Sequence, residues 1–453
     1  MEMITCDILI IGGGPAGGVA AMSAKNNYPD KEVIVIREFE QQLVPCAIPY
    51  IFGPTLRSSE NNIASCEQGM KMGIKGLIGV VNKVDIHEKK AYSDQHTILF
   101  DKLIFATGST PFVHSALAEA SQLKGVFTIP KDKTKIDELK AYLKEKQSIA
   151  VVGTGFIGIE MGMELAKEGK KVSIIGGSAH ILKTSFDEEL AIEAEKIIRD
   201  AGITLEMGDY VDTIVSEGEC ASGVKLCSGK VIKADVIILA TGYKPNTQLA
   251  KEAGLKLARY DGIWVDEYMR TANKDIFAVG DCAARREFIT REPSKVMLAS
   301  TSAAEGRTAG NSLYKLEYLK GFNGTIAIFS TVIGDTVFSS AGLTEYQATC
   351  AGIDVVSGSF QGINRHPSTI PGAIKQSVKL VAMRHSGQII GGQIIGGVES
   401  GEMINLIGLV IESKMTVFSL LSLQIATQPL LTSAPTSYPL IKAAENVNHQ
   451  MQL

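Results

Sequence analysis

Two glycine-rich segments constrain the fold of this chain more than any other feature. In the first, Gly12, Gly14 and Gly17 follow the apolar run 7–11 and precede an alanine-rich stretch over 18–26, and the next apolar run is 33–36. A short, continuous apolar run is typical of a buried parallel strand, so this segment predicts a strand, a tight turn, a helix and a second strand. Such a turn presents backbone N–H groups at a helix N-terminus, which suits the pyrophosphate of a dinucleotide.

The same pattern recurs in the middle of the chain. A strand is predicted over 148–152, Gly153, Gly155 and Gly158 follow with Glu160 close behind, and the next strand is predicted over 172–175. One such fingerprint is a weak signal, whereas two, each between a strand and a helix, are far more specific. The sequence therefore predicts two nucleotide-binding units.

Two further segments resemble each other and mark the passage of the chain from one unit to the next. Apolar residues 103–106 lead to Thr107 and Gly108, and apolar residues 236–240 lead to Thr241 and Gly242. A later strand, predicted over 275–280, ends on the carboxylate of Asp281.

After residue 324 the pattern changes to alternating apolar residues at Ile326, Ile328, Val332 and Val337, which predicts an antiparallel sheet. Helices are expected to begin near 343 and 400. We therefore predict an α/β fold with two Rossmann-like dinucleotide-binding domains and a C-terminal α+β domain. The predicted segments are 1–112 with 246–325, then 113–245, then 326–453.

Composition narrows the class of protein. The net charge of -4 does not indicate a nucleic-acid partner. Residues 403–423 are apolar but carry Glu412 and Lys414, so we expect a buried helix and strand there rather than a membrane span. The seven cysteines and seven histidines show no metal-ligand spacing, and no metal is predicted. Without an export signal, the cysteines are expected to be reduced thiols of a cytoplasmic protein.

Cys46 is the cysteine with the most informative position. It lies in the stretch 43–50, soon after the first unit, and the next cysteine is Cys66. A lone thiol beside two nucleotide-binding units indicates redox chemistry through one sulfur, by a mixed disulfide, a persulfide or a sulfenic acid, with the thiolate as the reactive form. The alternative is a small, inert, buried residue, which is the expectation for the other six cysteines.

The order of these motifs resembles the FAD-dependent pyridine nucleotide–disulfide oxidoreductases over nearly the whole chain. The stretch Cys46-Ala47-Ile48-Pro49-Tyr50 is most similar to the single-cysteine branch, which holds coenzyme A–disulfide reductases, NADH oxidases and peroxidases, and NAD(P)H persulfide or polysulfide reductases. The resemblance implies FAD on 1–112 with 246–325, NADH or NADPH on 113–245, and a homodimer through 326–453.

The resemblance also assigns roles to residues. Cys46 and Tyr438 would be catalytic, with Cys46 against the flavin face opposite the nicotinamide and Tyr438 reaching the partner subunit's sulfur; packing at the interface is the alternative for Tyr438. The implied FAD contacts are Gly12, Gly14, Pro15, Gly17, Glu38, Pro49, Ala106, Thr107, Gly108 and Asp281. The implied NAD(P)H contacts are Gly153, Gly155, Ile157, Gly158, Glu160, Gly176 and Gly242, with Glu160 near the nicotinamide.

Several positions depart from the family pattern. Arg37 stands where an acid is expected to bind the adenosine ribose, with Glu38 as a substitute. Gly176 offers neither the carboxylate that favours NAD nor the arginine that favours NADP, so a weak preference for NADH is expected. His180 and Lys183 follow closely, either to meet a phosphate or as a solvated loop.

Other departures bear on the substrate. Pro15 replaces the histidine of the oxidases and peroxidases, and proline cannot donate a proton, which counts against peroxide reduction by the usual route. Lys25 is the one cation at the end of the first helix, where coenzyme A reductases carry basic residues. Gln428-Pro429 replaces the His-Pro pair of the two-cysteine reductases.

The expected function is NAD(P)H-dependent reduction of a low-molecular-weight persulfide, polysulfide or disulfide, with coenzyme A compounds among the candidates. Two alternatives stay open. One is an NAD(P)H oxidase that reduces O₂, and the other is a flavin electron-transfer module for a protein such as a rubredoxin. Neither nucleic acid nor membrane is an expected partner.

Overall fold

The computed structural model describes residues 2–316, 321 and 324–452, so the outermost ends of the predicted segments, residues 1 and 453, lie outside it. The first sheet is built around the first glycine turn. Its strands and the helices between them are β1 (Glu2–Ile11), α1 (Pro15–Asn27), β2 (Val33–Arg37), α2 (Glu67–Lys71), β3 (Lys75–Ile78), β4 (Val81–Asp85), β5 (Lys90–Ser93) and β6 (His96–Phe105), followed by the short strand β7 (Ser109–Pro111).

The strand order of this sheet is β3-β2-β1-β6-β5-β4, parallel from β3 to β6 and antiparallel at the β5–β4 edge. Ile8, Leu9 and Ile10 are fully buried because both faces of the parallel part are covered, which accounts for the continuous apolar run. The predicted strand at 7–11 is confirmed but begins earlier, since residues 2–6 also pair with β6. The predicted helix begins at Pro15 rather than residue 18, because proline suits the first turn of a helix.

The middle of the chain forms a second parallel sheet. Its elements are β8 (Val126–Thr128), α3 (Lys133–Leu143), β9 (Ser148–Val152), α4 (Phe156–Lys167), β10 (Lys171–Gly176), α5 (Glu188–Asp200), β11 (Thr204–Met207), β12 (Val211–Glu217), β13 (Cys220–Leu226), β14 (Val231–Lys233), β15 (Val236–Leu239) and β16 (Tyr243–Pro245). The order β11-β10-β9-β15-β8 is that of a dinucleotide-binding sheet, and β12-β13-β14 form a separate antiparallel sheet. Strands β7 and β16 pair with each other where the chain leaves the first sheet and returns to it.

The returning chain completes the first unit. It forms α6 (Gln248–Glu252), β17 (Ile276–Ala278), β18 (Arg285–Arg286), β19 (Pro293–Ser294) and α7 (Ala299–Asn311). Strand β17 pairs with β6 in parallel. Helix α7 packs closely on α1, because Gly306 and Gly310 face the backbone of Ala16 and Ala20, where a Cβ would come within 2.7 Å of carbonyl oxygens.

The last part of the chain is an antiparallel sheet that carries its last three helices on one face and a short helix on the other. Its elements are β20 (Ile328–Ile333), β21 (Thr336–Gly342), α8 (Glu345–Cys350), β22 (Val355–Ile363), β23 (Lys375–Met383), β24 (Ile389–Gly396), α9 (Ser400–Glu412), α10 (Val417–Leu421) and α11 (Pro439–Met451). The order is β20-β21-β24-β23-β22. Ile333, Phe338 and Ile395 join the core of the second unit, so this sheet packs directly against the second nucleotide-binding unit.

The expectation for residues 403–423 was wrong in one respect. They form the two helices α9 and α10 rather than a helix and a strand, because both pack an apolar face on the last sheet. None of the helices that the structure describes combines the length and the apolar character needed to cross a membrane.

Candidate active site

The two glycine turns are built in the same way. Gly12 has φ 116°, and a Cβ there would lie 2.1 Å from the carbonyl oxygen of Ala106; Gly153 has φ 130°, and a Cβ there would lie 2.2 Å from the carbonyl oxygen of Ala240. Each turn therefore requires glycine both for its backbone conformation and for its contact with the neighbouring strand. In contrast, at Gly14 and Gly155 no atom of the described residues, apart from their chain neighbours, lies within 4 Å of the position a Cβ would take, so both turns leave the backbone open to a ligand.

A cavity of about 580 Å³ lies beside the first turn, and Gly12, Arg37, Glu38 and Thr107 line it. The Arg37 side chain crosses Gly13, where a Cβ would lie 2.9 Å from its Cδ, and its Nη1 lies 2.9 Å from Cys66 Sγ. Arg37 Nε is buried and has no hydrogen-bond partner within the described part of the chain. Open backbone, a free donor and the exposed carboxylate of Glu38 fit the adenosine and pyrophosphate of FAD.

Asp281 lies in the turn after β17, where the sequence predicted a carboxylate. Its Oδ2 accepts hydrogen bonds from Ser109 Oγ at 2.7 Å and Lys131 Nζ at 2.8 Å. Burial acts to raise the pKa of Asp281, but the charge and hydrogen bond of Lys131 outweigh it and hold the pKa below its ordinary value. The carboxylate is therefore ionised and held in place. It can accept a hydrogen bond from a hydroxyl group such as those of a ribityl chain.

Cys46 lies in a short 3-10 turn, Pro45–Ala47, which a second turn, Pro49–Phe52, follows at once. Its side chain is exposed, and all seven cysteines are free thiols. Burial of the thiol's inner side raises the pKa of Cys46; the charges of Glu160 and Asp281 act in the same direction, and the charge of Lys131 opposes them. Lys131 is thus the cation that favours the reactive thiolate.

The segment after Cys46 is fixed to the second unit. A Cβ at Gly53 would lie 2.7 Å from the carbonyl oxygen of Glu164 in α4, so glycine permits this close approach. Thr55 Oγ1 donates to Glu164 Oε1 at 2.9 Å, and Lys140 Nζ donates to the carbonyl oxygen of Ile51 at 2.7 Å. These contacts hold the cysteine turn against the unit that carries the second fingerprint.

Glu160 joins three parts of the chain. It lies in α4, its Oε1 accepts a hydrogen bond from Thr331 Oγ1 of β20 at 2.8 Å, and the Tyr50 hydroxyl donates to the same carboxyl group. Burial raises the pKa of Glu160 to about 7, although both hydrogen bonds favour the ionised form. Ile157, also predicted to contact NAD(P)H, lies half-buried in the first turn of the same helix.

Gly176 ends β10 as the sequence suggested. A Cβ there would lie 2.4 Å from Thr154 Cγ2, so the position has no room for a side chain while Thr154 keeps this rotamer. The two basic side chains that the sequence suggested for phosphate binding already contact other residues. His180 lies 3.1 Å from Glu195 and 3.3 Å from Glu188, and Lys183 lies over the ring of Tyr346.

Other predicted residues are placed as follows. Pro49 is buried behind Cys46, and Gly108 and Gly242 adopt positive φ in the turns that link the two units. Tyr438 is half-buried at the start of α11 against the core of the last sheet, and burial raises the pKa of its hydroxyl. Lys25 Nζ donates to the carbonyl oxygens of Pro29 and Lys31 at 2.7 and 2.8 Å, so its donors are directed to the backbone rather than outward.

Three residues of this site were missed from the sequence. Tyr50 could have been found, because it lies four residues after Cys46 in the stretch that was singled out. Lys131 and Thr331 carry no local signal, since one lies in a connecting segment and the other on an edge strand.

Two family models match this chain. Residues 6–306 match the pyridine nucleotide-disulphide oxidoreductase family, and residues 328–438 match its dimerisation domain. The chain is 28% identical over 452 residues to an NADH oxidase of Methanocaldococcus jannaschii, covering 97% of this chain and 98% of that protein. It is 30% identical to the CoA-dependent NAD(P)H sulfur oxidoreductase of Pyrococcus furiosus, over 86% of this chain and 88% of that one.

Among solved structures, the NAD-dependent persulfide reductase from A. fulgidus superposes with a TM-score of 0.90 at 27% identity, covering 98% of this chain and 84% of that chain. The match extends through both glycine turns, the cysteine turn and the last sheet. The chain therefore belongs to the pyridine nucleotide-disulphide oxidoreductase family, whose members are enzymes that use FAD and NAD(P)H.

Proposed function

We propose that this protein uses NAD(P)H to reduce a low-molecular-weight persulfide, polysulfide or disulfide through Cys46. The observation that carries the proposal is the exposed thiol of Cys46 in a turn fixed between the two nucleotide-binding units, under the influence of one cation, Lys131. The sulfur and persulfide reductases among its relatives support the same reading.

Residues 1–112 with 246–325 would hold FAD, residues 113–245 would hold NADH or NADPH, and residues 326–453 would form the dimer. In the first segment, the open backbone at Gly14 and the free donor of Arg37 support binding of the FAD pyrophosphate and adenosine. The ionised carboxylate of Asp281 supports a contact with the ribityl hydroxyls. In the second segment, Gly155 offers the matching open backbone.

FAD, when bound, supplies the transfer of two electrons from NAD(P)H to sulfur. The thiolate of Cys46 would attack the outer sulfur of R–S–SH, so that Cys46–S–SH forms, the original S–S bond breaks and R–S⁻ leaves, to be protonated to R–SH by the H⁺ of the overall reaction. Two electrons from NAD(P)H then cleave the S–S bond on Cys46 and release H₂S, restoring the thiolate. The balanced reaction is NAD(P)H + H⁺ + R–S–SH giving NAD(P)⁺, R–SH and H₂S. Lys131 would stabilise the thiolate of Cys46 both before the attack and after H₂S has been released.

An anaerobic turnover assay tests the proposal. Polysulfide, coenzyme A persulfide, small disulfides and O₂ are compared as acceptors for the holoenzyme and for Cys46→Ser, with Cys66→Ser as a matched exposed-cysteine control. We expect a sulfur acceptor to be preferred, and Cys46→Ser to lose sulfur turnover while NAD(P)H still reduces its flavin. Wild-type turnover of persulfide by Cys46→Ser would overturn the proposed role of this residue.

Reduction of O₂ is the second candidate, because the relative from Methanocaldococcus jannaschii that matches along almost its whole length is named an NADH oxidase. Pro15 at the position of the oxidase histidine argues against it. Rapid oxygen uptake without any thiol compound would favour the oxidase. Slow turnover with every small acceptor, together with fast reduction of a rubredoxin, would favour an electron-transfer module.

We also propose that two subunits share each active site. The matched dimerisation domain and exposed apolar side chains such as Phe418, Leu430 and Leu431 support a two-fold dimer, because soluble proteins seldom leave such residues uncovered in a patch. The segment before Tyr438 and Pro439 would then reach the partner's cysteine turn. Co-refolding Cys46→Ser subunits with Tyr438→Phe, Pro439→Ala subunits should partly restore activity, because one site in each heterodimer would be intact. An active monomer would exclude the arrangement.

A further inference from the structure

Thr331 is the point at which the last sheet reaches the candidate nicotinamide site. Its Oγ1 donates to Glu160 Oε1 at 2.8 Å, and Thr331 itself is buried. Side chains alternate between the two faces of β20, so Thr331 and Ile333 are buried while Val332 between them is exposed. This alternation explains why the Thr331 side chain faces inward.

An aromatic contact holds the strand and the helix in this register. Phe329 of β20 stacks on Phe156, the first residue of α4, with ring centroids 5.1 Å apart, and Phe156 also packs edge-on against Phe186. Thr331 and Glu160 lie a short distance along the same two elements. The hydrogen bond between them is therefore part of a packed interface rather than an isolated surface contact.

Glu160 has few other polar neighbours. The titratable groups that face it are Cys46 and Tyr50 of the cysteine segment, and Glu164, one turn along α4, acts on Tyr50 as well. Strand β20 carries no charged residue, and β9 and β10 behind the helix contribute only the exposed Lys171. No cation contacts Glu160 among the described residues, so its ionised form depends on the hydroxyls of Tyr50 and Thr331.

We propose that Thr331 is a positioning residue for hydride transfer, holding Glu160 so that its carboxylate faces the positive charge that develops on the nicotinamide. The inference rests on the proposed function and on the family resemblance, which implies that Glu160 lies near the nicotinamide. The hydride that leaves NAD(P)H carries two electrons with it, so the nicotinamide ring becomes the cation NAD(P)⁺; FAD, when bound, would supply the acceptor. An ionised carboxylate beside the ring stabilises that charge, whereas a protonated one does not.

The raised pKa of Glu160 makes this contact consequential near neutral pH, because only part of the population is then ionised. Removing a donor that stabilises the carboxylate moves the pKa further upward. If the pKa rises by one unit, the ionised fraction at a pH equal to the original pKa falls about fivefold. At high pH all variants are ionised, so the difference disappears.

The test is anaerobic flavin reduction by NAD(P)H in the holoenzyme, followed against pH in Thr331→Val, Thr331→Ser and Ser330→Ala. Ser330 is a matched control because its hydroxyl bonds to Ser339 across the hairpin rather than to Glu160. We expect Thr331→Val to be about fivefold slower at pH 7 and to approach the wild-type rate at high pH. Thr331→Ser should restore the wild-type profile, and Ser330→Ala should not change it.

A second readout does not depend on activity. Infrared spectra of the holoenzyme with ¹³C-labelled glutamate, assigned with Glu160→Gln, report the protonated carboxyl directly, and Thr331→Val should move its titration upward. Tyr50→Phe removes the other donor and should shift both measurements in the same direction, which keeps the test decisive if Thr331→Val does not fold. An unchanged titration, or a rate loss equal at every pH, would overturn the inference.

These outcomes separate the inference from the proposed function. Flavin reduction by NAD(P)H does not need Cys46, so the same profiles are measured in the Cys46→Ser background. An unshifted profile, together with normal persulfide turnover by the Thr331→Val enzyme that retains Cys46, overturns only the role of Thr331. A flavin that NAD(P)H does not reduce at all overturns both.

Discussion

Lys131 Nζ lies 2.8 Å from Asp281 Oδ2, which joins a connecting segment of the second unit to the turn that ends β17. The same cation is the one that lowers the pKa of Cys46, while burial, Glu160 and Asp281 raise it. One lysine therefore acts on both the candidate flavin contact and the candidate redox thiol.

Lys131→Met should raise the pKa of the Cys46 thiol further, because a nearby positive charge favours the thiolate. The check is the pH dependence of alkylation of the Cys46 peptide in the holoenzyme, measured by mass spectrometry to separate it from the other exposed cysteines. Lys133→Met, which removes a cation paired with Glu60 and Asp137 instead, is the matched control. If the pH midpoint of Cys46 alkylation in Lys131→Met equals or lies below that of the wild type, the role of Lys131 is contradicted.

Glu160→Gln should stabilise the protein increasingly as pH rises. The pKa of Glu160 is about 7 in the folded chain against an ordinary value of 4.5, so the folded state binds its proton more tightly. Its contribution to stability is complete below about pH 4.5 and is lost as the pH rises through 7. Glutamine removes that loss, and the free energy of unfolding of the variant relative to wild type should increase by roughly 2 to 3 kcal/mol between pH 5 and pH 8.

Thermal unfolding of both holoproteins at several pH values measures this difference. Glu168→Gln, an exposed change near the end of the same helix, should show no such trend. A constant difference between Glu160→Gln and wild type across the range would mean that Glu160 is ionised throughout.

Lys379→Met should be strongly destabilising, because Lys379 anchors the last sheet to the second unit. Its Nζ lies 3.0 Å from Asp187 and 2.8 Å from Glu345, and both Lys379 and Asp187 are buried. Removing the cation leaves the buried carboxylate of Asp187 unpaired, which costs about 3–5 kcal/mol. Urea unfolding should show this loss, whereas Lys375→Met, exposed on the same strand, should change stability by less than about 0.5 kcal/mol. Equal effects of the two changes would exclude the anchoring role.

The nicotinamide preference should be weak and hard to change at one position. Gly176 supplies no charge, so we expect NADH to be favoured by less than about a hundredfold in kcat/KM. Gly176→Asp alone should fold poorly, since its Cβ would lie 2.4 Å from Thr154 Cγ2. Gly176→Asp with Thr154→Ala should recover stability and increase the preference for NADH. A stable single variant with an unchanged cofactor ratio would show that Thr154 moves aside freely.

The sequence by itself determined the local architecture and the kind of ligand it suits. Glycine spacing and the run of apolar residues predicted both parallel sheets, because a strand buried on two faces and a turn without room for a Cβ leave signatures within a few residues. The places of Cys46, Asp281 and Glu160 within or beside these sequence motifs also singled them out as candidate site residues. The error at residues 403–423 has the same origin, since a short apolar run suits either a buried strand or a buried helix, and packing decides between them.

Only the tertiary structure decided how these residues behave. Lys131 meets Asp281, and Thr331 meets Glu160, across long separations in the chain, and neither lysine nor threonine lies in a motif. The pKa of Cys46 likewise depends on burial by distant segments and on the charges that they deliver, and the pKa of Glu160 depends on burial and on two hydroxyl groups from other parts of the chain. Local patterns encode backbone conformation and burial, whereas charge pairing and desolvation are properties of the assembled fold.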